Sequence, residues 1–212
     1  LIGLFAVEAI VQLIAMSFLQ IGMEKERAEL HQRLAAQTDE LTGAANRRSI
    51  LDRADALLAR CRDYTVPVAV LLLDLDHFKS VNDTFGHDVG DNVLKAAAQV
   101  LSGVLRKGDL FGRIGGEEFA FCLPDTSARE AIDVAERVRA AISKLCLRSS
   151  SGAISVTVSV GVASTERVGY NLSALMKAAD AALYEAKARG RDCVADEAAP
   201  PRYEPMRECL AS

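Results

Sequence analysis

The sequence predicts an α+β domain with a mainly antiparallel central sheet covered by helices, carried behind an N-terminal apolar helix and a stalk. Three observations predict it. Residues 66–73 form a continuous apolar run rich in Val and Leu, as a buried central strand does. Apolar residues on both sides of Gly115-Gly116-Glu117-Glu118 read as two short strands joined by a tight turn, with the glycines supplying positive φ. Long stretches with helical spacing separate these strands.

The 212 residues are 50% hydrophobic and 25% charged, enough for one domain with a sizeable core plus an appendage. A net charge of −4 gives no general attraction for nucleic acid, so none is expected as a partner. A local metal or basic cluster can still hold a nucleotide. The five cysteines are scattered without a CxxC pair, which argues for reduced thiols rather than a zinc site or a disulfide framework. His31, His77 and His87 also lack metal-ligand spacing.

Residues 1–23 are almost entirely apolar, interrupted by Glu8, Gln12, Ser17 and Gln20. As a helix they would span about 34 Å, enough to cross a hydrocarbon core of about 30 Å. This predicts a transmembrane helix ending an upstream region, with Glu8 facing a neighbouring helix or protonated. The alternative is a buried helix from a soluble sensor domain. Residues 24–37 turn abruptly charged, and Met23, Leu30, Leu34 and Leu41 recur at seven- and four-residue intervals. A short coiled coil or a solvated linker helix fits, and either serves as a stalk.

The domain runs over 38–195. Residues 47–60 read as a helix with Ile50, Leu51, Ala54, Leu57 and Leu58 on one face. Further helices are predicted over 89–105 and 128–145, on either side of the hairpin. Ile154, Val156, Val158 and Val160 alternate with Ser155, Thr157 and Ser159, which marks a half-exposed strand. A last helix over 172–189 is stopped by Gly190. The tail 196–212 carries Pro200, Pro201 and Pro205 and is expected to be disordered.

Carboxylates cluster where strands end. Asp74 and Asp76 close the 66–73 run and point the same way under a period of two. They suit a metal held rigidly against a substrate, or, for Asp76, a helix N-cap. Glu117 and Glu118 at the hairpin tip repel each other unless a cation intervenes, and Mg²⁺ commonly arrives carrying phosphates. Lys79 follows the acids closely enough to neutralise phosphate charge. Asn82 and Asp91 together are the pair that reads guanine: the carboxylate accepts from N1–H and the exocyclic amine, and the amide completes the edge. Gly86 and Gly90 allow close backbone approach, though each segment also has good turn and cap residues.

Taken in order, these residues resemble the GGDEF family of diguanylate cyclases over about 38–194. The resemblance is carried by Asp39-Glu40-Leu41-Thr42-Gly43 with Asn46-Arg47-Arg48, Asp74-Leu75-Asp76-His77-Phe78-Lys79, Asn82-Asp83, Gly86-His87 and Gly90-Asp91. It continues through Gly115-Gly116-Glu117-Glu118-Phe119, Ser159-Val160-Gly161-Val162-Ala163, and Ala179-Asp180 to Gly190-Arg191. The resemblance implies a nucleotide-cyclase-like palm and condensation of two GTP into cyclic di-GMP with release of pyrophosphate by a homodimer. It implies Mg²⁺, or Mn²⁺ in its place, on Asp74, the Leu75 carbonyl and Glu117, with Glu118 assisting. Glu117 and Lys79 would be catalytic. Asn82, His87, Asp91, Gly115, Gly116, Lys187 and Arg191 would hold substrate.

Arg106-Lys107-Gly108-Asp109 matches the family's RxxD product-inhibitory motif, with Arg137 as a further contact, although Gly108-Asp109 also suits a turn into the hairpin. Ala44 replaces the usual leucine, Asp192-Cys193 replaces a more typical polar pair, and Glu117 stands where others carry Asp. The implied location is the cytoplasmic side of the bacterial inner membrane. Two other readings remain: a catalytically silent cyclic di-GMP receptor, and a related cyclase with other purine specificity.

Overall fold

The computed structural model describes residues 37–149 and 152–197, together with residues 16, 17, 19, 20, 23 and 24. Most of the predicted apolar span and stalk, and the tail from 198, lie outside the described residues. Among the described residues no helix is long and apolar enough to cross a membrane.

The chain runs α1 (Arg47–Asp63), β1 (Val68–Leu75), α2 (Phe78–Phe85), α3 (His87–Val104), β2 (Leu110–Arg113), β3 (Glu118–Pro124) and α4 (Ala128–Ser143). It continues through β4 (Cys146–Ser149), β5 (Gly152–Ser155), β6 (Val158–Ser164), α5 (Thr165–Val168), α6 (Leu172–Ala188) and β7 (Val194–Asp196). Five strands form a mixed sheet in the order β2-β3-β1-β6-β7. Its pairings are antiparallel except for β6 with β7, so the expected mainly antiparallel α+β architecture holds. Strands β4 and β5 form a separate hairpin.

β1 is central because both of its faces are apolar. Leu71, Leu73 and Leu75 pack under α2, α3 and α4, while Val68, Val70 and Leu72 pack under α1 and α6. Each such residue contributes roughly 1.5–3 kcal/mol by leaving water. The strand outlasts its apolar run, because Asp74 pairs with Glu118 and Ser159, and Leu75 with Val158.

Three local expectations change. The predicted half-exposed strand divides into β5 and β6, and every residue of β6 is buried. Ser159 turns inward because its hydroxyl has a buried partner, the Asp76 carboxylate. Asp76 therefore caps no helix; His77, at φ 58°, precedes α2 instead. β4 and β7, too short for a clear hydrophobic period, are additional strands.

The entry to the domain is pinned by one carboxylate. Asp39 Oδ1 accepts from the Thr42 backbone N–H at 3.0 Å, the Thr42 hydroxyl at 2.7 Å and Arg113 Nη1 at 2.9 Å. Burial pushes the Asp39 carboxyl up, but the Thr42 and Arg113 contacts outweigh it and the net direction is down. A depressed carboxylate stabilises the fold above its unfolded value, the ordinary 3.8, and that support is lost as pH falls through the folded value. Asp39→Asn is therefore expected to cost about 1–2 kcal/mol at neutral pH. In denaturant titrations at several pH values, that difference should shrink towards pH 3.

Candidate nucleotide and metal site

The predicted acidic cluster forms where β1, the β2–β3 turn and the end of α6 converge. Alternation places Asp74 on the α6 side of the sheet, where its carboxylate meets Lys187 Nζ at 2.8 Å. Glu118 opens β3 directly opposite Asp74. Glu117 sits in the turn, and its carbonyl accepts from the Leu75 N–H at 3.3 Å. Burial pushes the Glu117 carboxyl up; the Asp74 and Glu118 charges push the same way and Lys187 partly offsets them. The site thus gathers like charges that favour a cation.

Among the described residues no group of three or more His, Cys, Asp or Glu could by itself hold a metal ion. That donor set fits Mg²⁺ arriving with a nucleotide, since the ion commonly uses one or two carboxylates and takes its remaining ligands from phosphates and water.

The turn differs from expectation in its glycines. Neither Gly115 nor Gly116 has positive φ. A Cβ on Gly115 would meet the Glu118 carboxylate at 2.2 Å and its Cβ at 3.2 Å, so the absent side chain makes room for the acid. Arg113 fixes the turn by donating to the Gly116 carbonyl at 3.1 and 2.7 Å while gripping Asp39. Arg47, the first residue of α1, donates to the Ile114 carbonyl at 3.3 Å. Sequence reasoning assigned Arg113, Asp39 and Arg47 no site role. The signal available was the Asp39–Thr42 spacing, typical of a side chain closing its own turn. Beyond the turn, a cavity of about 670 Å³ lies between α1 and α6, with Arg47, Glu118, Lys177 and Asp180 among its lining.

The expected guanine-side residues lie on α2 and α3, which meet at Gly86 with φ 86°. A Cβ on Gly90 would stand 1.8 Å from Asn82 Oδ1, so the second helix can lie against the Asn82 amide only with glycine there. His87 and Asp91 are exposed on α3 and Lys79 on α2. The side chains of Lys79, His87, Asp91 and Arg191 make no hydrogen bond or ion pair with other described residues, leaving their polar groups available.

Arg106, Asp109 and Arg137 come together around a second cavity of about 250 Å³, also lined by Thr126, Glu130 and Asp133. Arg106 Nε meets Asp109 Oδ1 at 3.3 Å. The other end of its guanidinium donates to the Pro124 carbonyl, to the Asp125 carbonyl at 2.8 Å and to the Thr126 hydroxyl at 2.8 Å. Cys61, Cys122, Cys146 and Cys193 are free thiols, and Cys209 lies outside the described residues.

Comparison with known proteins matches residues 36–193 to the family model described as diguanylate cyclase, GGDEF domain. The response regulator PleD of Caulobacter vibrioides is 44% identical over 166 residues, covering 77% of this chain and 37% of that protein. Diguanylate cyclase DgcP of Pseudomonas aeruginosa is 39% identical over 176 residues, covering 81% of this chain and 26% of that protein. The chain thus spans well under half the length of these relatives. Among solved structures, the coiled coil and GGDEF domain of DgcB from Caulobacter crescentus in complex with c-di-GMP aligns with a TM-score of 0.78. It is 34% identical, covering 85% of this chain and 96% of that one. The active GGEEF domain of a diguanylate cyclase from Vibrio cholerae aligns at 0.68 with 30% identity, covering 73% of this chain and 98% of that one.

Proposed function

Because this chain belongs to the GGDEF family of diguanylate cyclases, we propose that it condenses two GTP into cyclic di-GMP and releases pyrophosphate. The observation that carries the reading is the Asp74–Lys187 ion pair beside the Glu117 carboxylate. Carboxylates for a metal and an ammonium for phosphate meet there, where the end of β1 faces the end of α6. Asp74, the Leu75 carbonyl and Glu117 would hold Mg²⁺ or Mn²⁺, with Glu118 alongside. The ion would neutralise charge on the transferring phosphate.

Every other part of the reaction falls to protein groups. Asn82, His87 and Asp91 would hold guanosine, and Lys79, Lys187 and Arg191 the phosphates, with Gly115 and Gly116 bringing backbone close. The 3′-hydroxyl of each nucleotide attacks the α-phosphorus of the other, each proton passes to the Glu117 of one protomer, and two pyrophosphates leave as two phosphodiester bonds form. Two protomers, each holding one GTP, must face each other, so the working unit is a homodimer. The apolar 1–23 segment and the charged 24–37 stalk of the sequence support an anchored domain on the cytoplasmic face of an inner membrane.

Incubation with GTP and Mg²⁺ is expected to yield cyclic di-GMP and pyrophosphate, and ATP no cyclic product. Equal turnover of ATP would contradict the guanine assignment. The cavity at Arg106, Asp109 and Arg137 supports feedback by the product, because it pairs a guanidinium with a carboxylate away from the metal side. Arg106→Ala is expected to raise the product concentration that halves the rate by about 10-fold or more, the scale of losing one charged hydrogen bond. An unchanged value, read from initial rates with added product, would contradict feedback at this cavity. A silent receptor would use the same cavity without turnover, but the intact Gly115-Gly116-Glu117-Glu118-Phe119 favours the enzyme.

A further inference from the structure

Asp76 stands two residues beyond Asp74, yet its carboxylate is engaged elsewhere. It is only 4% exposed. Its Oδ2 accepts from the Thr157 hydroxyl at 2.7 Å and from the Asp192 backbone N–H at 3.0 Å, and its Oδ1 accepts from the Ser159 hydroxyl at 2.7 Å. The Asp76 N–H donates to the Thr157 carbonyl at 2.9 Å. These bonds join the end of β1 to the start of β6 and to the turn that follows α6.

That turn carries backbone strain. Gly190, Arg191 and Asp192 have φ of 111°, 67° and 44°, three successive residues in the left-handed region. For each of the two non-glycine residues this costs roughly 1–2 kcal/mol and persists only where surrounding bonds hold it. Besides the Gly190 N–H on the Lys187 carbonyl at 3.4 Å, three bonds hold it here. The Arg191 N–H donates to the Ala186 carbonyl at 3.2 Å. Arg139 of α4 meets the Asp192 carboxylate at 2.9 Å, with that carboxylate 44% exposed. The third is the Asp192 N–H on Asp76, the only one made to a buried charge. A charge-assisted bond out of water holds more strongly than a half-exposed ion pair.

We propose that Asp76 is a positioning residue for phosphate binding: it holds the turn of residues 190–192 so that Arg191 stands beside Lys187 to meet the triphosphate. The inference rests on the reading of Lys187 and Arg191 as phosphate-binding residues. It makes Asp76 a tether for the cationic side of the site, distinct from the ligand role that its spacing from Asp74 suggests.

Calorimetric binding to the full chain, with Mg²⁺, of 3′-deoxy-GTP (which cannot be cyclised) and of GMP tests it. Asp76→Asn is nearly isosteric and leaves groups for both hydroxyls to bond. It is expected to weaken 3′-deoxy-GTP by about 10-fold, to change GMP within about twofold, and to leave the Mg²⁺ requirement unaltered. Equal loss for both nucleotides would mark a merely structural role and overturn the proposal, as would no loss for either. A raised Mg²⁺ requirement would make Asp76 a metal ligand, overturning it as well. Thr157→Val, which removes one donor to Asp76, should show the same selectivity to a smaller extent and serves if Asp76→Asn fails to fold. Arg191→Ala separates the two layers of the argument. If it weakens 3′-deoxy-GTP while Asp76→Asn does not, positioning by Asp76 is wrong; if Arg191→Ala has no effect, the phosphate-binding reading fails and the proposal with it.

Discussion

Glu117→Gln is expected to lower the rate of cyclic di-GMP formation on the order of 1,000-fold while leaving the protein folded. Glutamine keeps the volume and, on the proposed reading of Glu117, would lose both an anionic metal ligand and a proton acceptor. The folded state should not suffer, because burial and the charges of Asp74 and Glu118 already disfavour a carboxylate at this position. Removing the charge relieves that repulsion, so the thermal midpoint should stay level or rise. Product formation and thermal unfolding measured on the same preparation separate the two effects. Activity within about 10-fold of the parent would exclude Glu117 from the reacting centre, since a metal ligand or base seldom costs so little.

Gly161→Ala is expected to destabilise the domain by about 3 kcal/mol, at the upper end of overpacking costs. A Cβ there would lie 2.1 Å from the Ala179 carbonyl oxygen, 2.3 Å from the Leu183 nitrogen and 2.8 Å from the Leu183 Cα. All three are backbone atoms of α6, so no side-chain rotation relieves the clash, and the helix must move off β6. The same helix carries Lys187 to Asp74, so the displacement reaches the candidate site. Gly116→Ala is the contrast, because a Cβ there meets nothing within 4 Å. Denaturant unfolding reads both variants. A Gly161→Ala protein as stable as its parent would mean that α6 does not press on the sheet as described.

The sequence was most legible where one residue type had one physical job. The apolar run of β1, the apolar face of α1, and the acids at the ends of strands were all readable from period and spacing. Asp74, Glu117, Glu118 and Lys187 lie together, and Arg106, Asp109 and Arg137 share a cavity. Misreadings came where the reason was tertiary. Gly115 looked like a turn glycine but is bare because the Glu118 carboxylate lies against it. Ser159 looked exposed by alternation but turns inward to Asp76. Asp76 looked like a cap or a ligand, and only its distant partners Thr157, Ser159 and Asp192 reveal a tether. No local pattern encodes bonds between residues 81, 83 and 116 positions apart.

The most direct test of the account is the rate of cyclic di-GMP formation from GTP and Mg²⁺ per protomer, measured across a series of enzyme concentrations after bound product has been stripped away. The account predicts a specific rate that rises with concentration and then levels off, as two GTP-loaded protomers pair. No cyclic di-GMP at any concentration, from protein that is folded and binds GTP, would contradict it.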